Sequence, residues 1–410
     1  MYILNMLKRN TLLIALILVM ILFEIAIQST GHGSLFSPSN FTNIIYQNSY
    51  VIILAVGMLF LIIGCGNIDL SVGSIVALVG AVAGVLMVNN EYNIYMSMAL
   101  CLLLGIVIGA WHGFWIAYIR IPSFIVTLAG MLLFRGLALI VLDGITINPF
   151  PADYLTMFTS YFPSFDSGYF QEQLASGLSR AEVRAGMSAI VFSKTMTVTA
   201  VIVIAYLVGI IYSRVSKIKK GYEVVPLYAF LFQHVLALAA IIASCVLLGE
   251  NKGIPVILIL IAVVVIVYAF IANKTVVGRR IYALGGNEKA AKLSSVNTSR
   301  LLFLSYVNMG LLAAVAALVC VARFNSASPM AGTGYELDAI GACFIGGASA
   351  YGGTGTVPGV IIGALLMGVL NLGMSIMGID QNLQKVVKGL VLLAAVIFDV
   401  VSKRKSFIVK

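Results

Sequence analysis

Two acidic residues stand beside glycine-rich breaks in long apolar runs. Asp69 lies within Gly66-Asn67-Ile68-Asp69-Leu70-Ser71-Val72-Gly73-Ser74, and Asp338 within Glu336-Leu337-Asp338-Ala339-Ile340, which is followed by Gly346-Gly347 and Gly352-Gly353. A carboxylate inside an apolar region is costly to keep there, so each is a candidate for function by default. Asp69 has two compatible uses. It can cap the helix expected to begin near Ser71, and a capped half-helix can present backbone N–H groups and glycine-exposed backbone to a neutral polar ligand. Arg135 sits inside the apolar run Phe124 to Leu142 and calls for a partner. Lys385 and Lys388, near the start of the last run, read as snorkelling or interhelical cations.

Enzyme chemistry finds little to work with. His32, His112 and His234 are isolated from one another, and His112 in Trp111-His112-Gly113 reads as a packing residue rather than a metal ligand. Cys65, Cys101, Cys245, Cys320 and Cys343 stand singly in apolar stretches, away from metal-ligand spacing, and read as small core residues. The chain lacks a Gly-x-x-x-x-Gly-Lys-Ser/Thr phosphate loop, so it does not bind ATP by that route. No catalytic residue, metal site or bound cofactor is expected.

The elements that must position these residues are transmembrane helices. Of 410 residues 61% are hydrophobic and 10% charged, against about 25% charged in soluble domains. Apolar runs of about 20 residues, enough to cross a ~30 Å hydrocarbon core, recur from end to end. Continuous runs such as Ile257 to Ala272 exclude a β-barrel, which alternates apolar and polar residues. The net charge of +10 is carried largely between the spans: Lys8 and Arg9, Arg120, Arg214 to Lys220, Lys274 to Arg300, and Lys403 to Lys410. That distribution marks cytoplasmic loops by the positive-inside rule and gives no basic face for nucleic acid.

With the N-terminus inside, Thr11 to Ile27 is expected as an uncleaved first helix. Spans follow at about Ile44 to Gly64, Ile75 to Val88, Ile94 to Tyr118 and Phe124 to Leu142. Asp143 to Lys194, holding Asp153, Asp166, Glu172 and Glu182, is expected as an external loop. Thr195 to Tyr212 returns inside. Leu227 to Leu248 and Pro255 to Ala272 are expected as a hairpin, and Asn273 to Arg300 as a cytoplasmic loop. Leu301 to Val321, Glu336 to Ala348, Val357 to Met377 and Leu383 to Val401 complete the chain. The fold class is therefore an all-α polytopic membrane protein of about 10–12 apolar segments, some broken or re-entrant, in one domain over 1–410 with two loosely related halves. Gly105, Gly109 and Gly113 share one helix face that lets a neighbour approach closely. In the loop, Asn287 can cap a short helix over Glu288-Lys289-Ala290-Ala291-Lys292-Leu293.

These residues resemble the permease subunits of ABC sugar importers of the ribose, xylose, arabinose and galactose type. The matching stretches are Asn67 to Ser74, Ile121 to Met131 with Arg135-Gly136, Gly278 to Glu288, and Gly334 to Ile340 leading to Gly346-Gly347, in the family's order. The length, the Trp111-His112-Gly113-Phe114-Trp115 stretch and the added hairpin are closest to the multiple-monosaccharide or xylose subgroup. Asn67 stands where the family often has glycine.

The resemblance implies a subunit that carries monosaccharides inward by alternating access. It implies a cytoplasmic ATP-binding subunit holding ATP and magnesium, an extracytoplasmic sugar-binding protein, a second copy of this chain, and the lipid of a bacterial inner membrane, with both termini cytoplasmic. By the same resemblance the translocation pathway passes Asn67, Asp69, Ser71, Thr127, Arg135, Asn325, Glu336 and Asp338. Gly286, Asn287, Glu288, Ala290 and Ala291 then form the coupling element within 273–300. Two other readings stay open: an ion-coupled secondary transporter using Asp69, Asp338 and Arg135, and an ABC permease for branched-chain amino acids.

Overall fold

The computed structural model describes residues 11–31, 33–164, 172–176, 179–222, 224 and 226–408. Lys8, Arg9, His32, Asp166 and Lys410 lie outside the described residues. The chain opens with α1 (Thr11–Thr30), α2 (Pro38–Cys65) and α3 (Val72–Gly84), the last prolonged by a π-helical turn over Val85–Asn89. α4 (Ile94–Gly113) is prolonged in the same way over Phe114–Tyr118, and α5 (Ser123–Leu142), α6 (Ala152–Thr159) and strand β1 (Tyr161–Phe162) follow. Next come α7 (Arg180–Lys219), α8 (Leu227–Glu250), β2 (Ile254–Pro255) and α9 (Ile257–Lys274). The chain closes with α10 (Val276–Gly286), α11 (Glu288–Leu293), α12 (Thr298–Phe324), α13 (Tyr335–Ile345), α14 (Val357–Ile376) and α15 (Gln381–Ile408). Among the described residues ten helices are long and apolar enough to cross a membrane. The short α13 and the charged α15 stand beside them. This is the all-α polytopic architecture the composition requires.

Two compact units partition the chain. The first gathers α1, most of α2, α3 to α6 and α9 to α15. Its centre is α2, where Ile53, Leu54, Leu59, Leu61 and Ile62 are fully buried. Around it α3 packs on α5 and α12, and α4 packs on α12. The contact of α4 with α12 is close because glycines face each other. A Cβ on Gly310 would strike the backbone of Gly105 and Gly109, so van der Waals packing between bare backbones replaces side-chain interdigitation. A second apolar cluster joins α1 to α14 through Phe23, Ile27, Leu366 and Leu370. α13 lies against α14 and α15. Outward faces are apolar, with Leu132, Ile140, Ile266 and Phe270 exposed, as helices bathed in hydrocarbon require.

The second unit holds α7, α8 and the two strands, which pair antiparallel. α8 packs on α7. Tyr206 Oη lies 2.8 Å from His234 Nδ1, and the Arg214 guanidinium sits 4.3 Å above the Phe230 ring.

The structure departs from the sequence expectation in this region. Residues 180–194, read as part of the external loop, are the first turns of the 40-residue α7. A capping box starts that helix: Ser179 Oγ accepts from the Glu182 N–H while the Ser179 N–H donates to Glu182 Oε2 at 2.8 Å. Within the second unit α8 has α7 as its partner, and within the first unit α9 packs on α10 and α14.

Candidate functional site

The break between α2 and α3 begins where Gly66 takes a left-handed backbone, φ +68°. The chain then runs through Asn67 and Ile68 and buries Asp69 at 1% exposure. Asp69 Oδ1 accepts the Ser71 N–H at 2.9 Å and the Ser71 hydroxyl at 2.6 Å, so the carboxylate holds an Asx-type turn ahead of α3, whose N-cap is Ser71 itself and lacks a side-chain cap bond. On its other side Ser71 Oγ lies 3.4 Å from His112 Nε2. His112 is fully buried on α4, with Phe134 and Trp111 edge-on to its ring, and its Nδ1 has no hydrogen-bond partner among the described residues. Tyr306 of α12, also fully buried, brings its hydroxyl within electrostatic reach of Asp69 and near Ser123 and Asn67, and tilts toward His112 at 6.4 Å between ring centroids. His112 and Tyr306 thus join a polar cluster that the sequence had not assembled. The packing role expected of His112 agrees with its aromatic neighbours, and its Nε2 also lies close against Gly130.

The second break precedes α13 and folds back onto the first. Gly332 and Gly73 meet backbone to backbone, and Glu336 packs its carboxylate over Gly73. Arg135 reaches across from α5. Its Nη1 donates to the carbonyl oxygens of Pro329 at 3.0 Å and Ala331 at 2.5 Å, with the Glu336 charge in electrostatic reach. The partner Arg135 needed is therefore the loop before α13.

The remaining residues of the expected pathway are engaged elsewhere. Asp338 is buried against α15, with Lys388 Nζ 3.0 Å from Oδ1 and Asn371 Nδ2 3.4 Å from Oδ2. Lys388 is thus an interhelical cation. Thr127 is fully buried and its hydroxyl donates to the Ser123 carbonyl of its own helix at 2.9 Å. Asn325 is exposed, ends α12 in a left-handed conformation and accepts the Phe150 N–H at 2.8 Å, tying down the 145–150 loop. So Asn67, Asp69, Ser71, Arg135 and Glu336 lie on or around the start of α3, whereas Thr127, Asn325 and Asp338 lie in separate contacts.

In the basic loop, α10 buries Ile281 and Leu284 and is fastened by the Tyr282 hydroxyl donating to Gly355 O at 2.7 Å. Burial raises the Tyr282 phenol above its ordinary range. α10 ends at Gly286. Asn287 then caps α11, its Oδ1 accepting the Ala290 N–H at 3.0 Å. Glu288 Oε1 lies 2.8 Å from Arg120 Nη1, and Arg120 also donates to Ser299 Oγ at 3.0 Å. Ala291 alone of α11 is buried, while Gly286, Asn287, Glu288 and Ala290 are exposed and Leu293 is 88% exposed. This is a short helix held by one face, with the other open.

Comparison with known proteins agrees with this architecture. Residues 40–396 match the family described as branched-chain amino acid transport system / permease component. The chain is 36% identical over 377 residues to the xylose transport system permease protein of Escherichia coli K12, covering 92% of this chain and 88% of that one. It is 35% identical to the Haemophilus influenzae xylose transport system permease protein, covering 96% of each. It is also 35% identical to the ribose import permease protein of Escherichia coli K12, covering 93% of this chain and 92% of that one. No solved structure matches. A chain of ten membrane-length helices matched along nearly its whole length by such permeases belongs to the branched-chain amino acid transport system permease component family, as a multi-pass membrane subunit of an ABC importer and not an enzyme.

Proposed function

We propose that this subunit carries monosaccharides into the cell, and that a neutral sugar passes the junction where the two helix breaks meet. The observation that carries the reading is that junction: Asp69, Ser71 and Glu336 gather at the first turn of α3, against bare glycine backbone. Hydroxyl groups of a sugar suit such a mixture of carboxylate, hydroxyl and N–H groups. The relatives above are named for xylose and ribose, and they match along most of their length.

A branched-chain amino acid would need a cation for its carboxylate and an anion for its ammonium. The Arg135 guanidinium is held by two carbonyls, and Asp338 is neutralised by Lys388. That commitment favours the sugar.

ATP and magnesium belong on a cytoplasmic partner subunit that receives α11. The exposed Glu288, Ala290 and Leu293 support this reading, as a helix so small with so much of its surface open gains little by folding for its own sake. An extracytoplasmic sugar-binding protein delivers the sugar, a second copy of the chain completes the pathway, and both termini lie in the cytoplasm of a bacterial cell with the basic loops.

The test is to purify the tagged chain with its candidate ATP-binding subunit and to measure sugar-stimulated ATP hydrolysis and uptake in liposomes. Co-purification that weakens on Glu288→Arg, with uptake of a pentose or hexose, supports the assignment. Uptake driven by an ion gradient with no ATPase present would overturn it.

A further inference from the structure

A groove of about 520 Å³ opens between α9, α10 and α12 at the basic end of these helices. Phe60, Ile271, Val277, Leu301 and Leu304 make its walls apolar, while Arg280 and Arg300 stand in its lining. Both arginines are exposed. Among the described residues neither is ion-paired: the one acid in the loop, Glu288, is taken by Arg120. Arg300 lies in the first turn of α12, where Asn297 Oδ1 accepts its N–H at 2.9 Å and the helix dipole adds to the positive potential. The polar groups further along α12 are already satisfied, Ser305 Oγ donating to Leu301 O and Tyr268 Oη to Asn308 Oδ1.

From Arg300 to Asn308 the groove follows α12 over eight residue steps, about 12 Å at 1.5 Å per residue. Its lining combines two arginines with apolar walls. Its mouth carries Val277 and Leu304, each 49% exposed, and the neighbouring outward face of α9 carries the exposed Ile266 and Phe270. The groove therefore opens onto the surface that meets hydrocarbon.

We propose that this groove seats one anionic phospholipid of the inner leaflet, its phosphate between Arg280 and Arg300 and an acyl chain along Phe60, Ile271 and Leu304. A free phosphate ion would use the arginines but leave the apolar walls wet, and a zwitterionic lipid would gain less from two unpaired cations. The lipid would brace α10 and the start of α12 on either side of α11, linking the bilayer to the helix offered to the ATP-binding subunit. The leaflet assignment rests on the cytoplasmic reading of 273–300, whereas lipid binding itself does not depend on which solute is carried.

The experiment is native mass spectrometry of the full-length chain in mild detergent, titrated with phosphatidylglycerol or phosphatidylcholine. Wild type is expected to retain one phosphatidylglycerol in preference to phosphatidylcholine. Arg280→Gln with Arg300→Gln is expected to weaken that retention about 10- to 30-fold, at roughly 1 kcal/mol per arginine near a lipid surface. Lys274→Gln with Arg279→Gln, the same charge change outside the groove, is expected to leave it within about twofold. Leu304→Trp, which fills the mouth and keeps both arginines, is expected to lower it as well.

Equal retention by the two double variants would overturn the proposal. So would equal binding of the two lipids, or full displacement of the lipid by inorganic phosphate. Loss of the lipid whenever the ATP-binding subunit joins would assign the groove to that subunit instead. Retained lipid binding in a chain that carries no sugar would leave this site standing and count against the transport reading alone.

Discussion

Gly73, in the first turn of α3, and Gly332, in the loop before α13, lie against each other through their backbones, so that a Cβ on either would strike the other's carbonyl oxygen. The contact joins the two helix breaks backbone to backbone, with the Glu336 carboxylate beside it. Gly332 also has φ +74°, where an L side chain costs roughly 1–2 kcal/mol before any clash. Gly332→Ala is therefore expected to lower the melting temperature of the purified protein and to reduce uptake more than Gly334→Ala, which has similar φ but open space around it. Equal effects of the two substitutions would show that backbone conformation alone matters there.

The Arg120–Glu288 pair is 44% exposed on each side, so its contribution to stability is small, about 0.2–1 kcal/mol. Glu288→Arg is expected to leave insertion and melting nearly unchanged while cutting uptake and leaving ATP hydrolysis running. The charge-swapped double variant, Arg120→Glu with Glu288→Arg, is expected to recover much of the uptake, because the pair sets the angle of α11. Failure of the swap to recover anything would mean that Glu288 acts by touching the partner directly.

Lys388 and Asp338 behave differently because they are buried, with 19% and 6% of their side chains exposed. Lys388→Met leaves an uncompensated carboxylate and is expected to cost about 3–5 kcal/mol. Adding Asp338→Asn should return most of that stability, as read by thermal unfolding in detergent. A double variant no better than Lys388→Met would contradict the pairing.

For Asp69 the roles of holding the turn before α3 and of carrying charge separate cleanly. Asp69→Asn keeps an oxygen for the Ser71 N–H and hydroxyl, so its fold is expected to survive. Asp69→Ala loses both bonds and is expected to cost about 1–2 kcal/mol. If Asp69→Asn transports normally, the residue serves to hold the turn. If it folds and fails to transport, the charge itself is needed in the pathway.

Much of this protein is legible one segment at a time. Span positions follow from apolar run length, because a helix must satisfy its backbone within itself in hydrocarbon. The α11 helix over Glu288–Leu293 is visible in its Asn cap and its helix-forming residues, and the close packing of α4 in glycines spaced by four. Even the helical start at Arg180 had a local signature in Ser179 and Glu182, one that the polar composition of 143–194 masked.

Pairings between distant segments required the tertiary structure. Run lengths and caps are short-range properties, encoded within a few residues of where they act. Which carboxylate meets which cation depends on how helices far apart in the chain are rotated and stacked, and every span offers a similar apolar face. The sequence by itself determined that Asp69 and Asp338 stand at breaks in a polytopic membrane protein. Only the folded arrangement decided that Asp338 is neutralised by Lys388, fifty residues on, while Asp69 opens a polar cluster with His112 and Tyr306, because burial turns a shared local motif into whatever its neighbours permit.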